Sequence, residues 1–173
     1  MDFFDVIEKR YSYRGKFKPD AVPESDIRQI LDAGIRAPSG FNAQTTRFVV
    51  VTDKALRQQI AALTPSPATE TAPVLLVPVS ERVVMPNGMA FEVEDYGACV
   101  ENVLLAITAK GYAAVWMDGR VKADGIAGKI ADLLHVPAGF TVRAVIPFGV
   151  PEEPGVQNER KPFAQRVSFN RFA

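Results

Sequence analysis

The 173-residue sequence predicts an α+β or α/β sandwich. Short apolar runs of strand length alternate with longer segments in which apolar residues recur at helical spacing, and such a mixture packs in layers around a shared core. No Gly-x-Gly-x-x-Gly follows any of the predicted strands, which disfavours a Rossmann nucleotide site. The length predicts one domain, residues 1–173, with a self-sufficient core.

The first third of the chain predicts three helices and one strand. Residues 2–10 carry an apolar stripe at helical spacing, and residues 24–36 combine such a stripe with acidic residues in the first turn. The apolar run at 47–52 predicts a buried strand. Asp53 is then expected to cap a helix over 54–63.

The middle of the chain predicts two loops around a strand, followed by the clearest helix. Residues 64–73 are rich in Pro, Ser and Thr and predict a loop that leads into an apolar strand at 74–80. Residues 81–91 predict a second loop. The helix at 92–110 has acidic residues at its positive end and apolar residues around much of its girth, which is typical of a central or interface helix. A strand is predicted at 112–117.

The last third predicts a helix over 121–134, a strand at 141–149 and an extended tail. The tail, residues 151–173, has little amphipathic pattern but contains Phe163, Phe169 and Phe172. Large apolar side chains favour burial, so the tail is expected to pack on another surface, with a partner subunit as one candidate.

The composition excludes several classes of function. Lys+Arg and Asp+Glu both number 20, and this zero net charge argues against a nucleic-acid or membrane-surface binder. The only cysteine, Cys99, cannot form an internal disulfide. The acidic N-terminus lacks the basic region of a signal peptide, and no apolar run is long enough to span a bilayer, so the cytoplasm is the expected location.

The sequence contains few residues suited to acid–base catalysis or metal binding. With one histidine, His135, and one cysteine, neither a zinc site nor a Ser-His-Asp arrangement is expected. Cys99 lies among apolar residues and is predicted to be a small core residue. No catalytic side chain and no metal are therefore predicted, and a cofactor would have to carry the difficult step.

The segment that follows the first helix is a candidate phosphate site. If it is extended, Arg10, Ser12 and Arg14 face one way, and Tyr11 and Tyr13 face the other. Two guanidinium groups and a hydroxyl on one side suit a phosphate dianion, because arginine offers bidentate charged hydrogen bonds. The alternative is that both arginines are ordinary solvated surface charges.

A loop at 36–44 is a candidate for binding a heterocycle. The amides of Asn42 and Gln44 both donate and accept hydrogen bonds, and could match the pyrimidine edge of a flavin. An ordinary turn built from Pro, Ser, Gly and Asn is the alternative. The strand end at 115–119 could lie against a flat ring, or could be a buried Trp and a turn. A basic run at 159–162 could add cations near the phosphate or be simply exposed.

Taken together and in this order, these segments resemble the nitroreductase family. The resemblance is carried by an Arg-x-Ser-x-Arg segment after the first helix and, about 25 residues on, a Pro-Ser-x-x-Asn-x-Gln loop that runs into a hydrophobic strand. It covers nearly the whole chain, through shorter motifs that lie at Asp95-x-Gly97, Leu134-x-Val136-Pro137, Pro147-Phe148-Gly149-Val150-Pro151 and Arg160-x-Pro162.

The resemblance implies an α+β, three-layer sandwich with a central mixed, mainly antiparallel sheet. It also implies a homodimer in which two subunits exchange extended tails and bind two FMN molecules at their interface. The implied FMN-binding residues are Arg10, Ser12, Arg14 and Arg160 on the phosphate, Asn42 on the ring, Pro38, Ser39 and Gly40 from the other subunit, and Met117, Asp118 and Gly119 by the reactive N5 edge, together with Tyr11 and Gln44.

Three features depart from the family pattern. Many members have Pro and an aromatic residue after the Gln, where this chain has Thr45 and Thr46. A lysine often found two residues before the tail arginine is Asn158 here, which is expected to weaken phosphate binding. The stretch at 64–91 is short, so an elaborate substrate lid is not expected.

The resemblance implies an FMN-dependent oxidoreductase with a ping-pong reaction. NADH or NADPH would reduce the flavin and leave, and a nitroaromatic, a quinone or a similar small-molecule acceptor would then be reduced. Two alternatives stay open: a flavin-binding sensor or carrier without turnover, and a specialised flavin enzyme such as a dehydrogenase, a dehalogenase or a flavin-fragmenting enzyme.

Overall fold

The computed structural model describes residues 1–172 and has an α+β architecture. The α-helices are α1 Phe3–Lys9, α2 Glu24–Ile35, α3 Lys54–Leu63, α4 Pro67–Thr71, α5 Glu92–Ala109 and α6 Ile126–Leu133. The strands are β1 Thr46–Val51, β2 Val74–Glu81, β3 Ala113–Ala114, β4 Phe140–Val142 and β5 Ile146–Gly149. Short 3₁₀ turns lie at Gly40–Asn42 and Phe163–Gln165. Within residues 1–172, none of the helices combines the length and the hydropathy that a membrane span requires.

The strands form one sheet with β2 near its centre. The order is β1-β2-β5-β3, β4 also pairs with β2, and each of these pairings is antiparallel. A single parallel bridge between Ser12 and Ala114 adds the N-terminal segment beside β3. The antiparallel sheet in a mixed chain confirms the α+β class.

Apolar side chains of β2 alternate between the two faces of the sheet, as the pleat requires. Leu75 is fully buried in a cluster with Ile60 of α3 and Ile130 of α6. The next residue, Leu76, is fully buried in a second cluster with Val103 of α5 and residues of α2. Full burial of such a side chain stabilises the fold by about 1.5–3 kcal/mol, and β2 contributes buried side chains to both clusters.

Most predicted elements agree with the structure to within one or two residues at each end. The Asp53 carboxylate accepts from the Leu56 N–H at 2.8 Å, which confirms the predicted cap of α3. Gly111, with φ of 82°, ends α5 in the left-handed conformation that glycine adopts without strain.

The prediction of a loop at 64–73 was wrong, because Pro67–Thr71 form the helix α4. Ser66 caps this helix by accepting from the Thr69 N–H at 3.1 Å, and Pro67 occupies the first turn, where its missing N–H costs nothing. The Pro, Ser and Thr residues that favoured a loop therefore include the cap and the first turn of a helix.

The prediction of one continuous strand at 141–149 was wrong, because a bulge separates β4 from β5. Leu76 and Val79 are three residues apart on β2, whereas their partners on β5 and β4 are four apart. Pro78 lies between them and has no N–H, so it offers only its carbonyl, which accepts from the Arg143 N–H at 3.0 Å.

Two further elements are shorter than predicted. Regular pairing in the strand predicted at 112–117 is confined to β3. Beyond β3, the Val115 N–H donates to the Pro147 carbonyl at 3.4 Å, and Met117 exchanges both backbone hydrogen bonds with Val145. The helix predicted over 121–134 begins only at α6, because Asp124 and Gly125 are both left-handed and interrupt it.

A polar contact joins the start of α2 to the end of α5. Lys110 Nζ and Tyr112 Oη donate to the two carboxylate oxygens of Asp26 at 2.8 and 2.7 Å. The hydrogen bond from Lys110, followed by that from Tyr112, lowers the pKa of Asp26. Burial, and then the bond to Asp26, raises the pKa of Tyr112 to about 12.

The raised pKa of Tyr112 makes stability sensitive to alkaline pH. The phenol holds its proton more tightly in the folded chain than in the unfolded chain, so its contribution is complete below pH 10 and is lost as the pH rises from 10 towards 12. We expect the free energy of unfolding to fall more steeply over this interval in the wild type than in Tyr112→Phe. Urea unfolding at pH 9 and pH 11 measures the difference, and equal slopes would contradict the shift.

Candidate functional site

The segment at 10–14 leaves α1 in an extended conformation beside β3. The Tyr13 N–H donates to the Ala114 carbonyl at 2.8 Å, and the Tyr13 side chain is buried. Tyr11 packs against the same core, whereas Ser12 and Arg14 are exposed. The predicted alternation is therefore confirmed for Ser12, Tyr13 and Arg14, whereas the Arg10 side chain is partly buried, with 22% of it exposed, beside Glu101 of α5.

The two arginines of this segment are weakly engaged within the chain. Arg10 Nε lies 3.7 Å from Glu101 Oε1 on α5, and Arg14 donates to the Ser12 carbonyl at a long 3.4 Å. Because no other polar contact of these guanidinium groups is found within residues 1–172, most of their N–H donors are available to a ligand.

The C-terminal tail passes beside the same segment. Gln157 Nε2 donates to the carbonyls of Arg10 and Ile7 at 2.8 and 3.1 Å, at the end of α1. Arg160 follows three residues later, so its Cα lies within roughly 11 Å of that of Gln157. The Arg160 side chain is exposed, and no hydrogen bond or ion pair joins it to other residues of the described range.

The loop that carries the Asn and Gln amides has an unusual backbone. Pro38 and Ser39 precede a 3₁₀ turn, and Phe41, Asn42 and Gln44 then have φ values of 53°, 55° and 49°. Each non-glycine residue in this left-handed region costs of order 1–3 kcal/mol, and such strain clusters at ligand sites. The side chains of these three left-handed residues are exposed.

Asp95, in the first turn of α5, holds this loop at both ends. Its carboxylate accepts from the Gly40 N–H at 2.8 Å through one oxygen and from Thr45 Oγ at 2.8 Å through the other. Within the loop, the Gln44 N–H donates to Ser39 Oγ at 3.0 Å. Asp95 itself is only 3% exposed.

Phe91, just before α5, closes over the same loop. A Cβ on Gly40 would lie 2.5–2.7 Å from atoms of the Phe91 side chain, so this position requires glycine. The Phe91 and Phe41 rings are in contact, with centroids 6.0 Å apart. Sequence reasoning assigned no role in the loop to Asp95 or Phe91, because an acidic residue at a helix start has an adequate explanation in the helix dipole.

A cavity of about 220 Å³ lies between the loop and α5. Its lining residues are Ile35, Ala37, Ser39, Gln44, Thr45, Thr46, Asp95 and Cys99. The buried Thr46 hydroxyl lies near the Cys99 thiol and has no partner with regular hydrogen-bond geometry in the described range. Burial raises the pKa of the Cys99 thiol, as expected for a core cysteine that is neutral at pH 7.

The third predicted segment, Met117, Asp118 and Gly119, lies where the chain rejoins the sheet. The Asp118 carboxylate accepts from Lys122 Nζ at 2.6 Å, so it is already paired. Just before this segment, Trp116 Nε1 donates to Tyr96 Oη, whose pKa is raised by burial. Tyr96 is the neighbour of Asp95, so the first turns of α5 contact both the loop and this strand end.

The helix α5 also separates the loop from the arginines. Asp95 contacts the loop and Glu101 contacts Arg10, six residues further along the helix. Six residues correspond to about 9 Å of rise and a rotation that leaves the two side chains roughly 120° apart. One chain therefore presents the loop and the arginine segment on different faces of α5, and their meeting through a second subunit stays a prediction.

A larger groove lies elsewhere. It has a volume of about 670 Å³ between α3 and α6 and includes Leu63, Lys129 and His135, but none of the predicted cofactor-binding residues. Within residues 1–172, no group of three or more His, Cys, Asp or Glu side chains is placed to hold a metal ion.

Comparison with known proteins agrees with this architecture. The model of the Nitroreductase family matches residues 7–69 and 61–150. A protein from Methanothermobacter thermautotrophicus, provisionally named NADH dehydrogenase/NAD(P)H nitroreductase, is 31% identical over 160 residues, which are 91% of this chain and 82% of that protein.

Two further relatives cover almost the entire chain. The crystal structure of a provisionally named nitroreductase from Desulfovibrio desulfuricans in complex with FMN has a TM-score of 0.81 and 31% identity, covering 98% of this chain and 97% of that one. The iodotyrosine deiodinase of Thermotoga neapolitana is 26% identical over 195 residues, covering 98% of both chains.

Proposed function

Because the chain belongs to the nitroreductase family, we propose that it is an FMN-dependent oxidoreductase that uses NADH or NADPH to reduce a nitroaromatic, a quinone or a similar acceptor. The provisional name of the Methanothermobacter relative and the FMN complex of the Desulfovibrio relative support this choice of donor and cofactor.

The observation that carries the proposal is the outward face of residues 10–14. Arg10, Ser12 and Arg14 occupy alternate positions of an extended segment, and both guanidinium groups are weakly engaged within the described residues. Two guanidinium groups and a hydroxyl form a donor set that fits a phosphate dianion. Arg160 would add a further cation from the tail.

The remaining residues of the predicted site would bind the ring. The exposed Asn42 amide and Gln44 amide would face its polar edge, and the backbone at 117–119 would lie by its reactive nitrogen. Bound FMN would supply hydride transfer in two half-reactions of a ping-pong cycle. The protein would orient the ring and exclude water, and the sole histidine lies in the groove between α3 and α6, away from these residues.

The proposal includes a homodimer of single-domain, three-layer subunits with exchanged tails. Phe3 and Phe4 on α1 and the phenylalanines of the tail are exposed in the single chain, although large apolar side chains favour burial. A second copy would cover them and would bring the loop of one subunit to the arginine segment of the other. The zero net charge argues against a nucleic-acid or membrane-surface partner, and a cytoplasmic location is part of the proposal.

A dehalogenase is the second candidate, because the relative from Thermotoga is an iodotyrosine deiodinase matched along 98% of both chains. Reductive dehalogenation would use the same flavin with a different acceptor. Release of iodide from an iodinated phenol, without reduction of quinones, would favour this candidate.

Reconstitution with FMN tests the proposal. We expect yellow protein whose flavin absorption bleaches with NADH or NADPH under anaerobic conditions and returns when a quinone or nitroaromatic is added. Protein that fails to bind FMN would contradict the proposal, and bound FMN without turnover across donors and acceptors would indicate a sensor or carrier.

A further inference from the structure

We propose that Asp95 is a positioning residue that sets the affinity for the flavin ring by holding the loop at 39–45 in its left-handed conformation. This role rests on the proposed function, because it assumes that the loop faces the ring. Asp95 would act through the loop, without touching the cofactor.

The two hydrogen bonds of Asp95 enclose the strained part of the loop. Gly40 and Thr45 are bonded to opposite oxygens of one carboxylate, and Phe41, Asn42 and Gln44 lie between them with positive φ. Non-glycine residues leave the left-handed region unless their surroundings fix them there. The bond of the Gln44 N–H to Ser39 lies inside the same span and does not tie the loop to another element.

The position of Asp95 in the fold keeps its carboxylate fixed. Asp95 is buried in the first turn of the longest helix, and its neighbour Tyr96 accepts a hydrogen bond from Trp116. The same helical turn therefore fixes the loop relative to the strand end that leads to Met117. Loss of Asp95 is expected to release the loop while the strand end stays in place.

Thr45 is what allows this carboxylate to make both bonds. The family commonly has proline at this position, and proline has no hydroxyl to donate. Here Thr45 is buried, and its hydroxyl donates to Asp95 at 2.8 Å. The departure from the family pattern therefore supplies a side-chain tether at the far end of the loop.

A charge effect on the helix dipole is the competing explanation for an acidic residue at this position. Asp95→Asn separates the two roles. The asparagine oxygen can accept from the Gly40 N–H, and its NH₂ group can donate to Thr45, whose hydroxyl accepts as well as donates. This variant keeps both contacts and loses the charge.

The test measures dissociation constants of FMN and riboflavin by quenching of flavin fluorescence. Asp95→Ala is expected to raise both constants by roughly ten- to hundredfold, which corresponds to the loss of hydrogen bonds to a charged group. Thr45→Val, which removes one bond, should raise them by roughly three- to tenfold, and Asp95→Asn by less than about threefold. The visible spectrum of bound FMN should shift in Asp95→Ala, because the Asn42 amide is no longer held in place.

Asp26→Ala is the matched control. Asp26 also accepts two hydrogen bonds, from Lys110 and Tyr112, but Lys110 lies 15 residues beyond Asp95, roughly 22 Å along α5. This variant should lose stability and keep the wild-type flavin affinity. Thermal unfolding of each variant without flavin shows whether it folds, and Thr45→Val carries the test if Asp95→Ala does not.

The outcomes separate this role from the proposed function. Wild-type protein that binds FMN, with Asp95→Ala or Thr45→Val binding as tightly, would overturn the positioning role alone. Asp95→Asn binding as weakly as Asp95→Ala would also overturn it, because charge would then be the cause. Wild-type protein without affinity for FMN would contradict the proposed function and this role together.

Discussion

Replacing Arg10 and Arg14 together by alanine is expected to raise the FMN dissociation constant at least about 100-fold and to leave riboflavin binding nearly unchanged. Riboflavin has the same ring system as FMN but no phosphate. The two guanidinium groups lie on one side of an extended segment and are weakly engaged by the protein, so their donors would bind the phosphate. Fluorescence quenching with both flavins measures the two constants under identical conditions.

The fold should tolerate this double substitution. Within residues 1–172, the one ion pair of Arg10 is to Glu101 at a long 3.7 Å, and the two side chains are 22% and 45% exposed. The pair contributes about 0–1 kcal/mol, and removal of the partly buried Arg10 stem costs some packing, so the thermal midpoint should fall by only a few degrees. The burial of Tyr13 on the opposite side of the segment is untouched.

A charge-matched control is the pair Arg28→Ala and Lys129→Ala. Both side chains are exposed: Arg28 pairs with Glu24 one turn away on α2, and Lys129 lies on α6 beside the groove that contains none of the predicted cofactor-binding residues. This control removes the same two positive charges and should keep FMN affinity. Equal losses for FMN and riboflavin in the Arg10/Arg14 variant would contradict a phosphate role, and no loss would assign the phosphate to other cations.

The features of the fold that the sequence predicted are those with a local or periodic signal. For the helix at 92–110, the sequence shows acidic residues at the start, apolar residues around most of the circumference and a glycine at the end. The helix α5 has nearly the same bounds. The alternation at residues 10–14 follows from the geometry of an extended chain once the segment is placed beside β3. For the same reason the buried and exposed sides of the candidate phosphate site could be predicted.

What the sequence did not predict depends on contacts between distant segments. The bulge that divides β4 from β5 lies opposite Pro78, 65 residues before Arg143, and nothing in the apolar run itself signals it. The hydrogen bonds of Asp95 span 50 and 55 residues, and Phe91 excludes a side chain at Gly40 only after folding. Likewise, the loop and the arginine segment lie on different faces of α5 because Asp95 contacts one and Glu101 contacts the other. No local sequence pattern reveals these contacts.

Truncating the chain after Asn158 is expected to convert the proposed dimer into a folded monomer that no longer retains FMN. Every described residue from 158 to 172 is exposed in the single chain, so the cut removes little internal packing. Gln157 remains, with its hydrogen bonds to the end of α1. Circular dichroism and thermal unfolding should show a native fold, while sedimentation velocity should report a monomer.

The exposed phenylalanines supply the physical reason for this expectation. Phe163 and Phe169 are 67% and 77% exposed and contact each other at 6.4 Å between ring centroids, on a tail that also carries Phe172. Burying side chains of this size against a partner is worth about 1.5–3 kcal/mol each, which is enough to decide the association of two subunits. The full-length triple variant with serine at these three positions should therefore also be monomeric.

Arg160→Ala separates the two contributions of the tail. It removes the cation that the resemblance places on the phosphate and leaves the apolar side chains in place, so it should remain a dimer with weakened FMN binding and unchanged riboflavin binding. If the truncated protein stays dimeric and binds FMN like the wild type, exchange of the tails is wrong. The dimer would then depend on the exposed face of α1, where Phe3 and Phe4 are the side chains to replace next.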